Sequence, residues 1–133
     1  MARILVTEDD DAVRAFVCRA LQIDGHDVVS AEDGAEGLAT LQREQGGFDL
    51  LLTDIKMPVM DGIALALSAA RDFPRLTILL MTGYADQRER AYGLEALVHD
   101  VVTKPFTLAG IRSAVDEALA YRSLEEDHDV VLH

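Results

Sequence analysis

The segment Leu50–Gly62 reads LLLTDIKMPVMDG and carries the strongest fold signal in the chain. Its apolar run stops at Asp54, and Pro58 and the Asp61-Gly62 pair follow shortly afterwards. This pattern is typical of a buried parallel strand that leads into a loop at its carboxyl end. Because open parallel α/β sheets bind their ligands at such strand ends, we expect Asp54 to lie in the functional site.

Three further apolar runs also end at polar side chains. Glu8 and Asp9 follow the first run, Thr82 follows the second, and Lys104 follows the third. Carboxylates are suitable ligands for a hard cation such as Mg²⁺. A hydroxyl and an amine suit the oxygens of a phosphoryl group. The sequence therefore predicts a site for a divalent cation and a phosphoryl group at one edge of a sheet.

Strand and helix patterns alternate along the chain, which predicts an α/β fold with a five-stranded parallel sheet and helices on both of its faces. The predicted strands are Arg3–Thr7, Asp27–Ala31, Asp49–Thr53, Thr77–Met81 and Val98–Thr103. The predicted helices begin at Asp11, at Asp33 or Gly34, at Gly62, at Asp86 and after a capping Thr107. In the first helix, Val13, Phe16, Val17, Ala20 and Leu21 share one apolar face.

The helical apolar pattern stops after Ala120. We expect a single domain over residues 1–120, followed by an acidic tail over residues 121–133 that is a frayed helical extension or disordered. The length of 133 residues is consistent with one domain.

The formal net charge of −12, from 24 acidic and 12 basic residues, argues against a nucleic acid or an anionic membrane as direct partner. Cys18 is the only cysteine, so no internal disulfide can form. The sequence shows neither a signal peptide nor an apolar run of membrane-spanning length, and we expect a cytoplasmic protein. The four histidines lack metal-ligand spacing and are expected at the surface.

The order and spacing of these signals resemble the receiver domain of bacterial two-component response regulators. The resemblance covers about residues 2–120 and is strongest to the stand-alone, chemotaxis-type (CheY-like) members. It rests on Glu8-Asp9, on Asp54 with Met57-Pro58 and Asp61-Gly62, on Thr82, and on Lys104-Pro105-Phe106. It implies a doubly wound, flavodoxin-like (CheY-like) fold with the strand order 2-1-3-4-5.

The resemblance implies that Asp54 is the phosphoacceptor, since a carboxylate can attack a phosphoryl group to give an acyl phosphate. Asp9, Asp54 and the backbone carbonyl of Lys56 would be the ligands of Mg²⁺. Glu8, which is longer than the Asp more usual at its position, would act mainly through a metal-bound water.

The resemblance also implies that Lys104 and the hydroxyl of Thr82 contact the attached phosphoryl group, and that the Lys104–Pro105 peptide is cis. Many receiver domains carry an aromatic residue three positions before this lysine, which swings inward on phosphorylation. Here that position is Val101, so the usual switch between the threonine and the aromatic ring is in question. Tyr84 is interpreted as a rim residue beside the site.

By the same resemblance, the protein is a signalling switch that receives its phosphoryl group from a histidine kinase or a histidine phosphotransfer protein. The donor would bind around the first helix and the site loops. An unidentified target protein would bind the face of the fourth helix, fifth strand and last helix, with these candidate contacts: Gln87, Arg88, Arg90, Tyr92 and Arg112. A phosphorylation-dependent dimer is left open.

Several other readings stay open. They are a phosphorelay shuttle, a phosphate-independent binding module and a fragment of a longer regulator. A magnesium-dependent phosphohydrolase is disfavoured, because such enzymes usually need a second carboxylate two residues after the nucleophile, where this chain has Lys56. We therefore expect no enzyme acting on an external substrate; the domain would catalyse only its own phosphorylation and dephosphorylation.

Overall fold

The computed structural model describes residues 2–83, 93–94 and 96–132, and these contain one sheet of five parallel strands. The strands are β1 (Arg3–Thr7), β2 (Asp27–Ala31), β3 (Leu50–Asp54), β4 (Thr77–Thr82) and β5 (Asp100–Thr103). Their spatial order is β2-β1-β3-β4-β5, which confirms the predicted order. The carboxyl ends of β1, β3 and β4 are thus neighbours at one edge of the sheet.

Two strand boundaries differ from the prediction at the site itself. β3 includes Asp54, because Asp54 pairs with Met81 of β4 and the next N–H, from Ile55, donates to the Met81 carbonyl (3.1 Å). β4 in turn includes Thr82, which pairs with Thr103 of β5. The sheet pairing therefore extends directly beneath the predicted phosphoacceptor.

The described helices are α1 (Asp11–Ile23), α2 (Gly34–Arg43), α3 (Gly62–Asp72) and a C-terminal helix (Leu108–Leu132). Polar side chains satisfy the first N–H groups of each of them, as helix N-termini require. Asp33 and Asp61 cap α2 and α3, and the hydroxyl of Thr107 accepts from Gly110. The predicted start of α1 at Asp11 is confirmed, and the cap is the preceding residue, Asp10. Asp10 has the extended backbone of a cap, and its carboxylate accepts from Ala12 and Val13.

Helices cover both faces of the sheet. On one face, α1 and the C-terminal helix pack Leu21 and Val115 against the sheet. On the other face, α2 and α3 do the same with Leu41 and Leu65. All five residues of β3 are buried, as expected for a central strand of a sheet covered on both faces. The fold is doubly wound, as predicted.

The predicted fourth helix, Asp86–Leu97, lies mostly outside the described residues, and so do Tyr84, Gln87, Arg88, Arg90 and Tyr92. Its predicted end is a turn, in which the N–H groups of Leu97 and Val98 donate to the Leu94 carbonyl. Arg112, predicted as a contact on the partner face, pairs with Asp24 at the end of α1, and its role in partner binding stays a prediction.

The C-terminal helix includes residues 121–132 of the segment that was predicted to be a tail. Arg122 connects this part of the helix to the sheet: its guanidinium donates to the main-chain carbonyls of Asp49 (3.3 Å) and Arg75. The boundary of the domain stays a prediction. Among the described residues, no helix is both long enough and apolar enough to cross a membrane.

Candidate functional site

Three acidic side chains meet at the carboxyl edge of the sheet, as the sequence predicts. Glu8 and Asp9 follow β1, and Asp54 ends the adjacent strand β3. One carboxylate oxygen of each residue lies within 4.8 Å of the other two. Glu8 and Asp54 are buried, whereas Asp9 is exposed, so the cluster opens to solvent on the Asp9 side. Such an oxygen-only set is what a hard divalent cation prefers.

Lys104 brings a positive charge to these acids from the end of β5. Its Nζ lies 3.1 and 3.3 Å from the two carboxylate oxygens of Glu8 and 3.3 Å from Oδ1 of Asp54. Its backbone N–H donates to the Thr82 carbonyl (2.7 Å), which holds the ends of β4 and β5 together. The Lys104–Pro105 peptide is cis, as predicted.

The crowding of charges shifts two ionisation equilibria. Burial raises the pKa of Glu8 to about 7, and the hydrogen bond and negative charge of Asp54 act in the same direction against the opposing effect of Lys104. Burial lowers the pKa of Lys104, but the carboxylates of Asp54 and Glu8 outweigh it, so that this pKa lies above its ordinary value. Lys104 therefore stays protonated at neutral pH, and the cluster favours an additional cation.

Backbone contacts fix the position of Asp54. Its Oδ1 accepts from the N–H of Ile55 (3.0 Å), and its carbonyl accepts from the hydroxyl of Thr53 (3.0 Å). Gly62 packs so closely that a Cβ at this position would lie 1.9 Å from the Asp54 carbonyl oxygen. The Asp61-Gly62 pair follows the loop after β3, as its pattern in the sequence indicated. It also caps α3 and permits this contact, which the local sequence did not reveal.

The acids and Lys104 line a cleft with a volume of about 770 Å³. Lys56 is exposed and lines the cleft. Thr82 is buried at the end of β4, and the residue after it, Gly83, lines the cleft. Val101 is half-buried in β5, where its side chain offers no ring to a switch.

One wall of the cleft is apolar, which the sequence reasoning missed. It consists of Val13, Phe16, Pro105 and Phe106. The rings of Phe16 and Phe106 stack with centroids 6.4 Å apart, and Phe16 is 42% exposed. Phe16 had been assigned to the apolar face of α1 that packs on the sheet. No local pattern in the sequence indicates this contact, because only the fold brings Phe16 close to Phe106.

Two of the four histidines, all of which were expected at the surface, are half-buried. His26 is half-buried; its Nδ1 accepts from the N–H of Ala2 (3.2 Å), while its Nε2 is buried without a hydrogen-bond partner in the described residues. It lies beside Asp24 and Asp116. His99 is half-buried and packs against the ring of Tyr121, with centroids 5.1 Å apart.

A doubly wound sheet with acids after β1, an aspartate at the end of β3 and a lysine after β5 defines a class of phosphoryl-dependent signalling domain. Residues 4–116 match the response regulator receiver domain family. The chain therefore belongs to this family, which consists of signalling domains of two-component systems rather than enzymes that act on external substrates.

Two relatives show the range of proteins that resemble this chain. It is 39% identical over 119 residues to the response regulator receiver protein CpdR of Brucella abortus, a match that covers 90% of this chain and 98% of CpdR. It is 34% identical to the response regulator MprA of Mycobacterium ulcerans, covering 94% of this chain. The chain spans about half of MprA, 53% of its length.

Solved structures agree with this assignment. A CheY-like receiver domain protein of Methanospirillum hungatei superposes with a TM-score of 0.85 at 30% identity, covering 94% of this chain and 98% of that one. The response regulator TrrA of Thermotoga maritima, solved in complex with Mg²⁺ and BeF, superposes with a TM-score of 0.77 at 28% identity, covering 89% and 99%. Members of the family typically bind Mg²⁺ at an acidic pocket, and this chain has an acidic cluster at the corresponding sheet edge.

Proposed function

We propose that this receiver domain accepts a phosphoryl group on Asp54 in the presence of Mg²⁺. One observation carries the proposal: the Asp54 carboxylate lies at the floor of an open cleft, within reach of two other acids and of the Lys104 ammonium. Neither a helix cap nor an ordinary surface ion pair explains this cluster, because the single positive charge of Lys104, 3.1 Å from Glu8 and 3.3 Å from Asp54, does not balance three neighbouring carboxylates.

Each site residue has a separate role in the transfer of the phosphoryl group. A carboxylate oxygen of Asp54 attacks the phosphorus of the donor, a new O–P bond forms, and the donor keeps the electrons of the bond that breaks. Lys104, which stays protonated, pairs with the phosphoryl oxygens, and the Thr82 hydroxyl donates to one of them. Asp9, Asp54 and the Lys56 carbonyl would hold Mg²⁺, with Glu8 acting through water. The ion supplies the positive charge that lets a carboxylate approach a phosphoryl group.

The physiological donor is a histidine kinase or a histidine phosphotransfer protein. The stacked pair Phe16–Phe106 supports this choice, because it places an exposed apolar surface directly beside the acids. A donor that presents an imidazole ring on a helical surface could bury that apolar wall while its phosphoryl group reaches Asp54. The domain itself catalyses both the gain and the loss of the phosphoryl group.

The output of the domain is a change in its protein contacts. New bonds from Lys104 and Thr82 to the phosphoryl group would change the ends of β4 and β5, so the target is expected on the face that includes β5 and the C-terminal helix. The described residues offer no ring at position 101 for the usual aromatic movement, so this change must proceed through packing around Val101. Cytoplasmic location belongs to the same proposal.

The test is intact mass spectrometry after incubation with acetyl phosphate, with and without Mg²⁺. We expect a single acid-stable, base-labile phosphoryl adduct on the wild type that requires Mg²⁺ and is absent from Asp54→Asn. Asp72→Asn is the matched control, because Asp72 is exposed, lies outside the cleft and pairs with the adjacent Arg71.

Beryllofluoride, which mimics an attached phosphoryl group, tests the site in case the adduct is too short-lived for mass spectrometry. A wild type that shows neither the adduct nor Mg²⁺-dependent beryllofluoride binding would overturn the proposal, and it would leave the phosphate-independent binding module as the surviving hypothesis. Equal labelling of Asp54→Asn and the wild type would move the acceptor to another residue.

A further inference from the structure

Arg14, on the first turns of α1, reaches back to the loop that carries the acids. Its Nη1 donates to the main-chain carbonyl of Glu8 at 2.8 Å. Its Nη2 pairs with Asp11 and lies 3.7 Å from Glu32, which follows β2. The side chain is only 16% exposed, although it carries a full charge. Arg14 thus connects three separate segments at the rim of the site.

The carbonyl that Arg14 holds belongs to the peptide between Glu8 and Asp9. On the sheet side, the N–H of Glu8 donates to the Ala31 carbonyl (3.1 Å), which is the last bond of this segment to β2. On the helix side, Asp10 begins the cap of α1. The bond from Arg14 therefore restrains the short segment between these two fixed points. Glu8 and Asp9 flank the restrained peptide, so its orientation affects the position of both carboxylates.

We propose that Arg14 is a positioning residue that fixes the Glu8–Asp9 peptide and thereby presets the two acids for Mg²⁺. The inference rests on the proposed function but concerns a residue that does not touch the ion or the phosphoryl group. The planar guanidinium can serve the carbonyl and the Asp11 carboxylate at the same time with separate N–H groups. A lysine has a single terminal nitrogen on a shorter side chain, so it cannot place donors at the two separate positions from which Nη1 and Nη2 of Arg14 reach these acceptors.

An electrostatic role and a positioning role of Arg14 predict opposite changes in Mg²⁺ affinity when Arg14 is removed. If Arg14 acted only through its positive charge, removing it from the neighbourhood of three acids would strengthen Mg²⁺ binding. If it acts by holding the peptide, its removal loosens two of the acids and weakens binding. Loss of a group that orients metal ligands typically reduces metal affinity about 10–100-fold.

The experiment is a calorimetric titration with Mg²⁺ of wild type, Arg14→Met, Arg14→Lys and Arg71→Met. Arg71→Met is the matched control, because Arg71 also forms an ion pair with a nearby aspartate, Asp72, but is exposed and lies outside the cleft. We expect affinity about tenfold lower in Arg14→Met and clearly lower in Arg14→Lys, which keeps the charge. The control should bind Mg²⁺ as the wild type does.

Two further measurements separate positioning from loss of folding. In the metal-free proteins, amide hydrogen exchange at Glu8, whose N–H donates to the Ala31 carbonyl, should become faster in both Arg14 variants, while exchange in β3 stays unchanged. In acetyl phosphate labelling, the Mg²⁺ concentration for half-maximal rate should rise, whereas the rate at saturating Mg²⁺ should largely recover. A globally destabilised protein would lose protection in β3 as well.

The inference is overturned if either Arg14 variant binds Mg²⁺ as tightly as the wild type or more tightly. Arg14→Lys retains the charge and most of the apolar stem, so it provides this comparison even where Arg14→Met does not fold. A wild type that binds no Mg²⁺ overturns it as well. A wild type that binds Mg²⁺ but takes no phosphoryl group overturns only the proposed function, because the calorimetric comparison is unaffected.

Discussion

Replacing Glu8 with Gln should make the metal-free protein more stable at alkaline pH, even though Glu8 forms an ion pair with Lys104. The Glu8 side chain is 1% exposed, and its pKa is about 7 in the folded protein against an ordinary value of 4.5. Glutamine keeps the approximate shape and the hydrogen-bonding capacity but removes the charge. Lys104 keeps an anionic neighbour, because its Nζ also lies 3.3 Å from Asp54.

The sign follows from proton binding. Between pH 4.5 and 7 the folded protein holds a proton on Glu8 that the unfolded chain has released. The contribution of Glu8 to stability is therefore fully present below pH 4.5 and is lost as the pH rises through 7. A pKa difference of this size corresponds to an upper limit of about 3 kcal/mol. We expect Glu8→Gln to raise the free energy of unfolding by about 1–3 kcal/mol at pH 8 and by much less at pH 5.

The assay is urea unfolding of the chelator-treated proteins at pH 5 and pH 8. Glu117→Gln, at an exposed position of the C-terminal helix, is the control and should change stability by less than about 0.5 kcal/mol at both values. Added Mg²⁺ should reverse the order at pH 8, since the wild type gains more from binding. Parallel pH profiles for Glu8→Gln and the wild type would refute the reasoning.

Three further predictions concern backbone and surface contacts. Gly62→Ala should destabilise the protein by about 3 kcal/mol or more in urea unfolding, because its Cβ would overlap the Asp54 carbonyl; stability within 1 kcal/mol of the wild type would contradict this. Arg122→Met should lower the free energy of unfolding by about 1–3 kcal/mol in the same assay, because it removes hydrogen bonds to two backbone carbonyls. An unchanged unfolding midpoint would show that these bonds do not stabilise the end of the helix. Val59→Asn should stabilise by about 1 kcal/mol, seen as a higher melting temperature. Val59 has a φ of 68° and is 85% exposed, and asparagine tolerates this left-handed conformation better; a lower melting temperature would argue for a packing role.

The sequence predicted the location of those site residues that directly follow or end a strand. Asp54, Lys104 and the Glu8-Asp9 pair each follow an apolar run, and a parallel sheet must bring such ends to one edge. This rule needs no knowledge of loop conformation, which explains why it succeeded. Helix caps were predicted to within one residue, since Asp10 and Asp11 have similar capping ability and only backbone geometry chooses between them.

Contacts that depend on three-dimensional packing could not be obtained in this way. The bond from Arg14 to the Glu8 carbonyl joins a side chain to a backbone atom, and a backbone acceptor leaves no trace in residue type. The pair Phe16–Phe106 spans most of the chain length and forms only when α1 and the loop after β5 are adjacent. His26 looked like a surface residue because its partner, the N–H of Ala2, is likewise a backbone group.

Lys104 and Arg14 act on the same acidic loop by different means, and this difference has a consequence for switching. Lys104 contacts the carboxylate oxygens, the atoms that a metal ion or a phosphoryl group would engage, so its present bonds compete with ligand binding. Arg14 contacts a peptide carbonyl and does not compete. The acids can therefore exchange partners while their backbone stays in place. Since Lys104 directly follows β5, the proposed exchange of partners predicts movement at β5 rather than at the loop after β1.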